Sequence, residues 1–159
     1  VHPDILILGK ALSGGMYPVS AVLANDDIML TIAPGEHGST YGGSPMAASV
    51  AIASLSVVRD EQLTRNAFEM GELFRNEIAK INNPMLLKVR GKGLLNAVVT
   101  RPMEHKTAWD ICLALKENGL LAKPTHGDII RFTPPLIITK EQMMDSIAII
   151  RKTLDAFGK

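Results

Sequence analysis

Lys10 is the first residue whose type and position could support chemistry. It follows the uninterrupted apolar run 5–8 and precedes a turn that contains Gly14 and Gly15. Ligands of α/β sheets bind outside the strand ends, and a lysine amine that loses hydration there is a candidate nucleophile toward a carbonyl group. The alternative is an exposed lysine whose alkyl stem covers the strand end while its ammonium stays in water. The residues alone leave both interpretations open.

The segment 34–43 is a second candidate site, because four of its ten residues are glycine. Such a density indicates backbone that adopts positive φ or that a ligand approaches closely. The hydroxyls of Ser39 and Thr40 lie between these glycines, ahead of a helix that begins near Pro45, where donors can bind a phosphate. No Gly-Lys-Ser/Thr follows, so the segment is not a Walker loop. Ordinary Ser/Thr turn chemistry is the alternative.

Arg131 is the third candidate, inside the apolar segment 129–132 and just before Pro134 and Pro135. A guanidinium among apolar neighbours needs a carboxylate or phosphate partner, because a buried unpaired charge is very costly. The alternatives are a structural ion pair and a position on the polar face of an edge strand. The segment 90–93 lacks the third glycine of a dinucleotide fingerprint, and we interpret it as a bulge or bend in a strand.

Composition excludes several classes of protein. The 159 residues are 47% apolar and 21% charged, which is typical of a folded globular chain. A net charge of +1 gives no electrostatic case for nucleic acid or a membrane, and the apolar runs are too short to cross a bilayer. The four histidines show no metal-ligand spacing, so we predict no metal site. The single cysteine, Cys112, is expected in a helix as a small core residue, which makes a reducing compartment the default.

The elements that must position these candidates differ between the two halves. In the first half, the run 5–8 is typical of a strand covered on both faces, and a second strand spans 19–23. The segment 45–58 is apolar on all sides and predicts a buried helix, and a second helix with one apolar stripe opens at Asp60. Two strands are too few for a sheet of their own, so this half resembles part of a larger sheet.

The second half predicts a compact α+β unit. Capping-box residues at 107–110 and 139–142 predict the starts of two helices, the first of which ends at Asn118 and Gly119. A strand at 86–100, bent at 90–93, and two short strands at 120–123 and 128–133 complete the unit.

Several segments resemble the class III aminotransferases, which depend on pyridoxal phosphate. Residues 4–15 resemble the lysine segment of that family, and residues 35–43 resemble its phosphate-contacting loop. Residues 17–23, 90–97 and 118–128 resemble the members that use ornithine as amino donor. The resemblance runs through essentially the whole chain.

The resemblance implies a fold, a cofactor and a set of site residues. The fold is the C-terminal part of a fold-type I pyridoxal-phosphate-dependent transferase, an α/β fold. Residues 1–83 would form the trailing part of the large cofactor-binding domain and 84–159 the small C-terminal α+β domain. Lys10 would hold pyridoxal 5'-phosphate covalently and later move a proton, and Ser39 and Thr40 would bind its phosphate. Arg131 would bind the carboxylate of glutamate or 2-oxoglutarate.

The resemblance also implies a homodimer with shared active sites, since the phosphate-contacting loop serves the neighbouring subunit. The reaction would convert ornithine and a 2-oxo acid, within proline and arginine metabolism. The family's aspartate for the pyridine nitrogen, its stacking aromatic ring and its glycine-rich phosphate turn precede the lysine segment. We therefore expect a fragment that is inactive alone, in a cytoplasmic or mitochondrial-matrix enzyme whose targeting segment would precede Val1. The alternatives are a member that uses acetylornithine and a non-catalytic dimerisation module.

Overall fold

The computed structural model describes residues 2–102 and 107–157. It divides into two compact units, one ending at Gln62 and the other beginning at Leu63. The assignment of 1–83 to a large domain and of 84–159 to a small one stays a prediction. Among the described residues, no helix is long and apolar enough to span a membrane.

The N-terminal unit contains two strands and two helices: β1 (Ile5–Leu8), β2 (Ala21–Ala24), α1 (Asp26–Met29) and α2 (Pro45–Asp60). The two strands pair antiparallel, with Leu8 opposite Ala21. Both predicted strands are therefore present. Among residues 2–62, the buried residues are Ser13 and Ala47.

Two burial predictions for this unit are wrong. β1 is not covered on both faces, since its Ile7 side chain is 74% exposed. The helix α2 is not buried all round, because Ala47 is its buried residue while Ile52 and Leu55 face outward. The physical reason is that a two-stranded ribbon and one long helix supply too little surface to enclose each other. α2 also continues through Asp60, and the next helix begins at Leu63 after Gln62 adopts a φ of 51°.

The C-terminal unit is an antiparallel sheet with three helices. Its elements are α3 (Leu63–Ala79), β3 (Leu86–Lys92), β4 (Leu95–Thr100), α4 (Ala108–Glu117), β5 (Lys123–Thr125), β6 (Ile129–Phe132) and α5 (Lys140–Phe157). The strand order is β3-β4-β6-β5. One hydrophobic core joins the inner face of the sheet to the apolar stripes of all three helices, so the observed unit has the α+β order that the sequence predicts.

The predicted helix caps are confirmed. At the start of α4, the Thr107 N–H donates to the Asp110 carboxylate at 2.7 Å, and the Thr107 hydroxyl accepts from Trp109. The helix ends at the C-cap Asn118, followed by Gly119 at a φ of 90°. Before α5, Thr139 and Gln142 exchange the two reciprocal hydrogen bonds of a capping box.

Two details of the strands differ from prediction. The segment 90–93 is not a bend, since it leads into a tight hairpin in which Lys92 pairs with Leu95 and Gly93 has a φ of 53°. β5 begins only at Lys123 and continues to Thr125, which pairs with Ile129 across the three-residue turn 126–128. In both hairpins, cross-strand pairing thus includes residues next to glycine or proline that the sequence assigns to a bend or a turn.

The β3–β4 hairpin packs directly on α3. The Arg75 guanidinium of α3 donates to the Gly93 carbonyl at 3.0 Å and to the Asn96 side chain at 2.6 Å. At Gly71, one turn earlier on α3, an added Cβ would overlap the Gly93 carbonyl oxygen. The close approach of two backbones therefore requires glycine at position 71.

Replacing Gly71 should destabilise the C-terminal unit. The Gly71→Ala methyl group must displace backbone atoms of the hairpin, so we expect a loss of roughly 3 kcal/mol in the free energy of unfolding. Urea unfolding followed by circular dichroism measures this loss. Asn76→Ala, an exposed change on the same helix, is the control and should stay within about 0.5 kcal/mol of the unmodified chain. Equal unfolding midpoints for the two variants would contradict the close approach.

Candidate active site

Lys10 lies directly after β1 and has a backbone conformation that is rare for lysine. Its φ is 56°, in the left-handed region where a side chain is unfavourable. The side chain is exposed, and the structure gives its amine no hydrogen bond or ion pair with any described residue. Non-glycine residues held in such conformations cluster at functional sites. The geometry therefore presents a free amine at the end of a strand.

The loop after Lys10 is fixed by local hydrogen bonds. The buried Ser13 hydroxyl donates to the Tyr17 carbonyl and accepts from the Tyr17 N–H at 3.1 Å. Gly14, at a φ of 65°, leaves so little room that an added Cβ would lie 3.1 Å from the Ser54 hydroxyl of α2. Sequence reasoning missed Ser13, although a serine inside a glycine-rich turn is a usual source of such a bond.

Ser39 and Thr40 lie in an exposed loop that leads into α2. The Gly42 N–H donates to the Ser39 carbonyl at 3.2 Å, which forms a turn around Thr40. Neither hydroxyl has a hydrogen-bond partner among the residues that the structure describes. Pro45 is at the first position of the helix, where its missing N–H costs nothing. Two free hydroxyls thus stand ahead of the N-terminus of a sixteen-residue helix.

Arg131 is on the outer face of the sheet. Its neighbours Ile130 and Phe132 point into the core, so the alternation of β6 turns the Arg131 side chain outward, where it is exposed. It pairs with Lys123 of β5 and with Ala97 of β4. Arg131 and Lys123 also line a cavity of about 470 Å³ in this unit. Of the interpretations left open for Arg131, the structure favours a position on the polar face of a strand, although β6 lies between β4 and β5 and is not an edge strand.

The four candidate residues are divided between the two units. Lys10, Ser39 and Thr40 belong to the N-terminal unit, and Arg131 belongs to the C-terminal one. In residues 2–102 and 107–157, no group of three or more His, Cys, Asp or Glu side chains is arranged to hold a metal ion. His105 lies outside the described residues.

Cys112 is buried in α4, as predicted. Burial raises the pKa of its thiol to about 11, because a thiolate loses hydration in the core. The thiol is therefore protonated at neutral pH and is a poor nucleophile.

The family model described as Aminotransferase class-III matches residues 1–154. The chain therefore belongs to the class-III aminotransferases. The predicted family and its α/β fold are confirmed, because solved structures of the family superimpose on the whole chain.

Within that family, several relatives to which the chain is similar are named ornithine aminotransferases. It is 64% identical over 154 residues to the mitochondrial ornithine aminotransferase of Drosophila melanogaster, covering 97% of this chain and 35% of that protein. It is 58% identical to the mitochondrial ornithine aminotransferase of Rattus norvegicus, covering 99% of this chain and 36% of that protein. The chain thus spans about a third of the length of these curated relatives.

Two solved structures give the same fold. An acetylornithine aminotransferase from Elizabethkingia anophelis is 61% identical, with a TM-score of 0.92, and the match covers 99% of this chain and 42% of that one. The ornithine aminotransferase of Plasmodium yoelii is 52% identical, with a TM-score of 0.90 and the same coverage.

The Cys112 thiol should be unreactive in the folded chain. Its raised pKa stabilises the folded state below about pH 9, and that contribution is lost as the pH rises from about 9 toward 11, since the unfolded thiol ionises first. We expect a disulfide reagent at pH 7.5 to label the native chain at least about a hundred times more slowly than the urea-unfolded chain. Rapid labelling of the folded chain would contradict the burial of this residue.

Proposed function

We propose that the protein containing this chain is an ornithine δ-aminotransferase dependent on pyridoxal 5'-phosphate. The reaction converts L-ornithine and a 2-oxo acid to glutamate 5-semialdehyde and an amino acid, a step between arginine and proline metabolism. The observation that carries the proposal is the free amine of Lys10 at the end of β1, in a chain 64% identical to an ornithine aminotransferase. The chain supplies part of the whole active site.

The residues present fit the cofactor. A phosphate group needs donors, and the free hydroxyls of Ser39 and Thr40 precede the positive end of the α2 dipole. An aldehyde needs an amine without a competing partner, and Lys10 provides one. When bound, pyridoxal phosphate supplies the electron sink that makes the carbon–hydrogen bond next to the substrate amine acidic.

Lys10 has two tasks in this proposal. Its Nζ would hold the cofactor, and once released it would take the proton from the substrate carbon that carries the amine. The loop bonded through Ser13 and Tyr17 limits where this amine can reach. A fixed loop supports both tasks, because proton transfer requires a defined distance.

Arg131 binds a carboxylate of the 2-oxo acid in this proposal. A guanidinium offers two parallel N–H donors to a carboxylate, and the exposed side chain of Arg131 has no competing acidic partner among the described residues. The cavity that Arg131 lines offers space for the rest of the acid.

We also propose a homodimer in which Ser39 and Thr40 serve the partner's cofactor. The N-terminal unit supports this, since Tyr41 next to these hydroxyls is 82% exposed and many of its other large apolar side chains are uncovered. Several relatives are named mitochondrial, which favours the mitochondrial matrix over the cytoplasm for this protein.

Acetylornithine aminotransferase is the second candidate function. The solved structure with that name is 61% identical to this chain, close to the identity of the ornithine-named relatives. The two substrates differ in the acetyl group on one amine, so a pocket that accepts one can exclude the other.

Removing the amine of Lys10 should abolish the reaction. In the full-length protein, Lys10→Ala should lower turnover by at least about a thousandfold, and borohydride should no longer fix the cofactor to the chain. Lys10→Arg keeps the positive charge but should be equally inactive. Lys152→Ala removes an exposed lysine of α5 and should retain full turnover. Substantial activity in Lys10→Ala would contradict the role given to Lys10. A full-length protein that binds no cofactor and shows no turnover would leave the non-catalytic dimerisation module as the explanation.

The choice of amino donor separates the two enzyme candidates. We expect kcat/KM for ornithine to exceed that for acetylornithine by at least about tenfold, because the extra acetyl group must fit a pocket shaped for a free amine. Coupled assays with each donor and 2-oxoglutarate measure the ratio on the full-length protein. A ratio reversed in favour of acetylornithine would assign the second function.

A further inference from the structure

Lys123 and Arg131 form a pair of like charges that nothing in the described part of the chain neutralises. They lie directly opposite each other on neighbouring antiparallel strands, so both side chains leave the same outer face of the sheet. Both are exposed. Cβ atoms at such positions are about 5 Å apart, and like charges opposed in this way destabilise a sheet.

Among the described residues, neither the strands that carry this pair nor the cavity beside it contributes an acidic side chain. The four strands of the sheet contain no acidic residue, and none of the described residues lining the 470 Å³ cavity next to the pair is acidic. The cavity walls are mostly apolar, with Phe74, Leu120, Phe132 and Met143 among them.

The two cations differ in what they can bind. The Arg131 guanidinium can accept one carboxylate in a two-point geometry, whereas the Lys123 ammonium is a compact charge on a flexible stem. An anion held by Arg131 therefore lies within reach of the Lys123 ammonium. Binding would turn the repulsion between the two side chains into attraction of both toward the anion.

We infer that Lys123 is a second cation of the Arg131 carboxylate site and raises its affinity for small organic acids with short hydrocarbon chains. The inference rests on the proposed function only for the identity of the acid, which is the 2-oxo acid that accepts the amino group. Lys123 acts on binding and orientation and takes no part in proton transfer. Its effect should therefore appear in KM and in dissociation constants, with little change in kcat.

The test uses the full-length protein and two readouts, the dissociation constant of glutarate from calorimetry and the KM for 2-oxoglutarate. Lys123→Gln should weaken glutarate binding and raise this KM by about fivefold, the upper range for an exposed charge pair. The kcat should change by less than about twofold, and added salt should reduce the difference from wild type. Lys123→Arg should restore both constants to within about twofold of wild type.

Lys88→Gln is the matched control. Lys88 is exposed on the outer face of the same sheet, but it lies on β3, at the opposite edge from Lys123, and pairs with Val99. The same loss of charge there should leave both constants within about 1.5-fold of wild type. Arg131→Lys serves as the reference for loss of the two-point geometry and should weaken glutarate binding more than Lys123→Gln does.

The outcomes separate this inference from the proposed function. If Lys123→Gln binds glutarate as tightly as wild type, or if Lys88→Gln weakens binding equally, Lys123 is not part of the site. If Lys123→Arg fails to restore binding, the effect is not due to charge and the inference is overturned. A wild-type protein that binds glutarate but does not turn over ornithine contradicts the proposed function alone.

Discussion

The alternation of side chains along β6 is the constraint on which the C-terminal unit depends. Ile130 and Phe132 enter the core, and the Phe132 ring contacts Phe74 of α3 with centroids 5.4 Å apart. A shift of one residue in register would expose both and bury Arg131. The apolar core therefore determines the direction of the Arg131 side chain, although the core residues make no polar contact with that side chain.

The N-terminal unit is held together in a different way. With Ser13 and Ala47 as its buried residues in the part of the chain described, it has almost no core, and its loops depend on local hydrogen bonds such as those between Ser13 and Tyr17. Loops fixed by neighbours in sequence keep their shape even where tertiary packing is sparse. This explains how the segment around Lys10 can have a defined conformation in a unit that exposes most of its apolar surface.

Sequence patterns predicted the elements whose signals are local. The capping boxes at Thr107 and Thr139 and the apolar stripe of α5 depend on residues three or four positions apart, and the structure contains all of them. The exposure of β1 and α2 could not be predicted from their apolar residues. Such residues indicate a surface that packs against another element, but they do not identify that element. The pairing of Lys123 with Arg131 could not be predicted either. The register of these strands depends on the hairpin and on core residues that are distant in the sequence. The roles of Lys10, Ser39 and Thr40 came from resemblance and stay predictions.

The backbone at position 10 suits glycine better than the residue it carries. Glycine adopts a φ of 56° without steric conflict, whereas a residue with a Cβ loses about 1 kcal/mol there. In a unit with so little buried surface, that loss is a notable share of the local stability. Stability alone would favour glycine at this position, so a lysine there agrees with the role proposed for its amine.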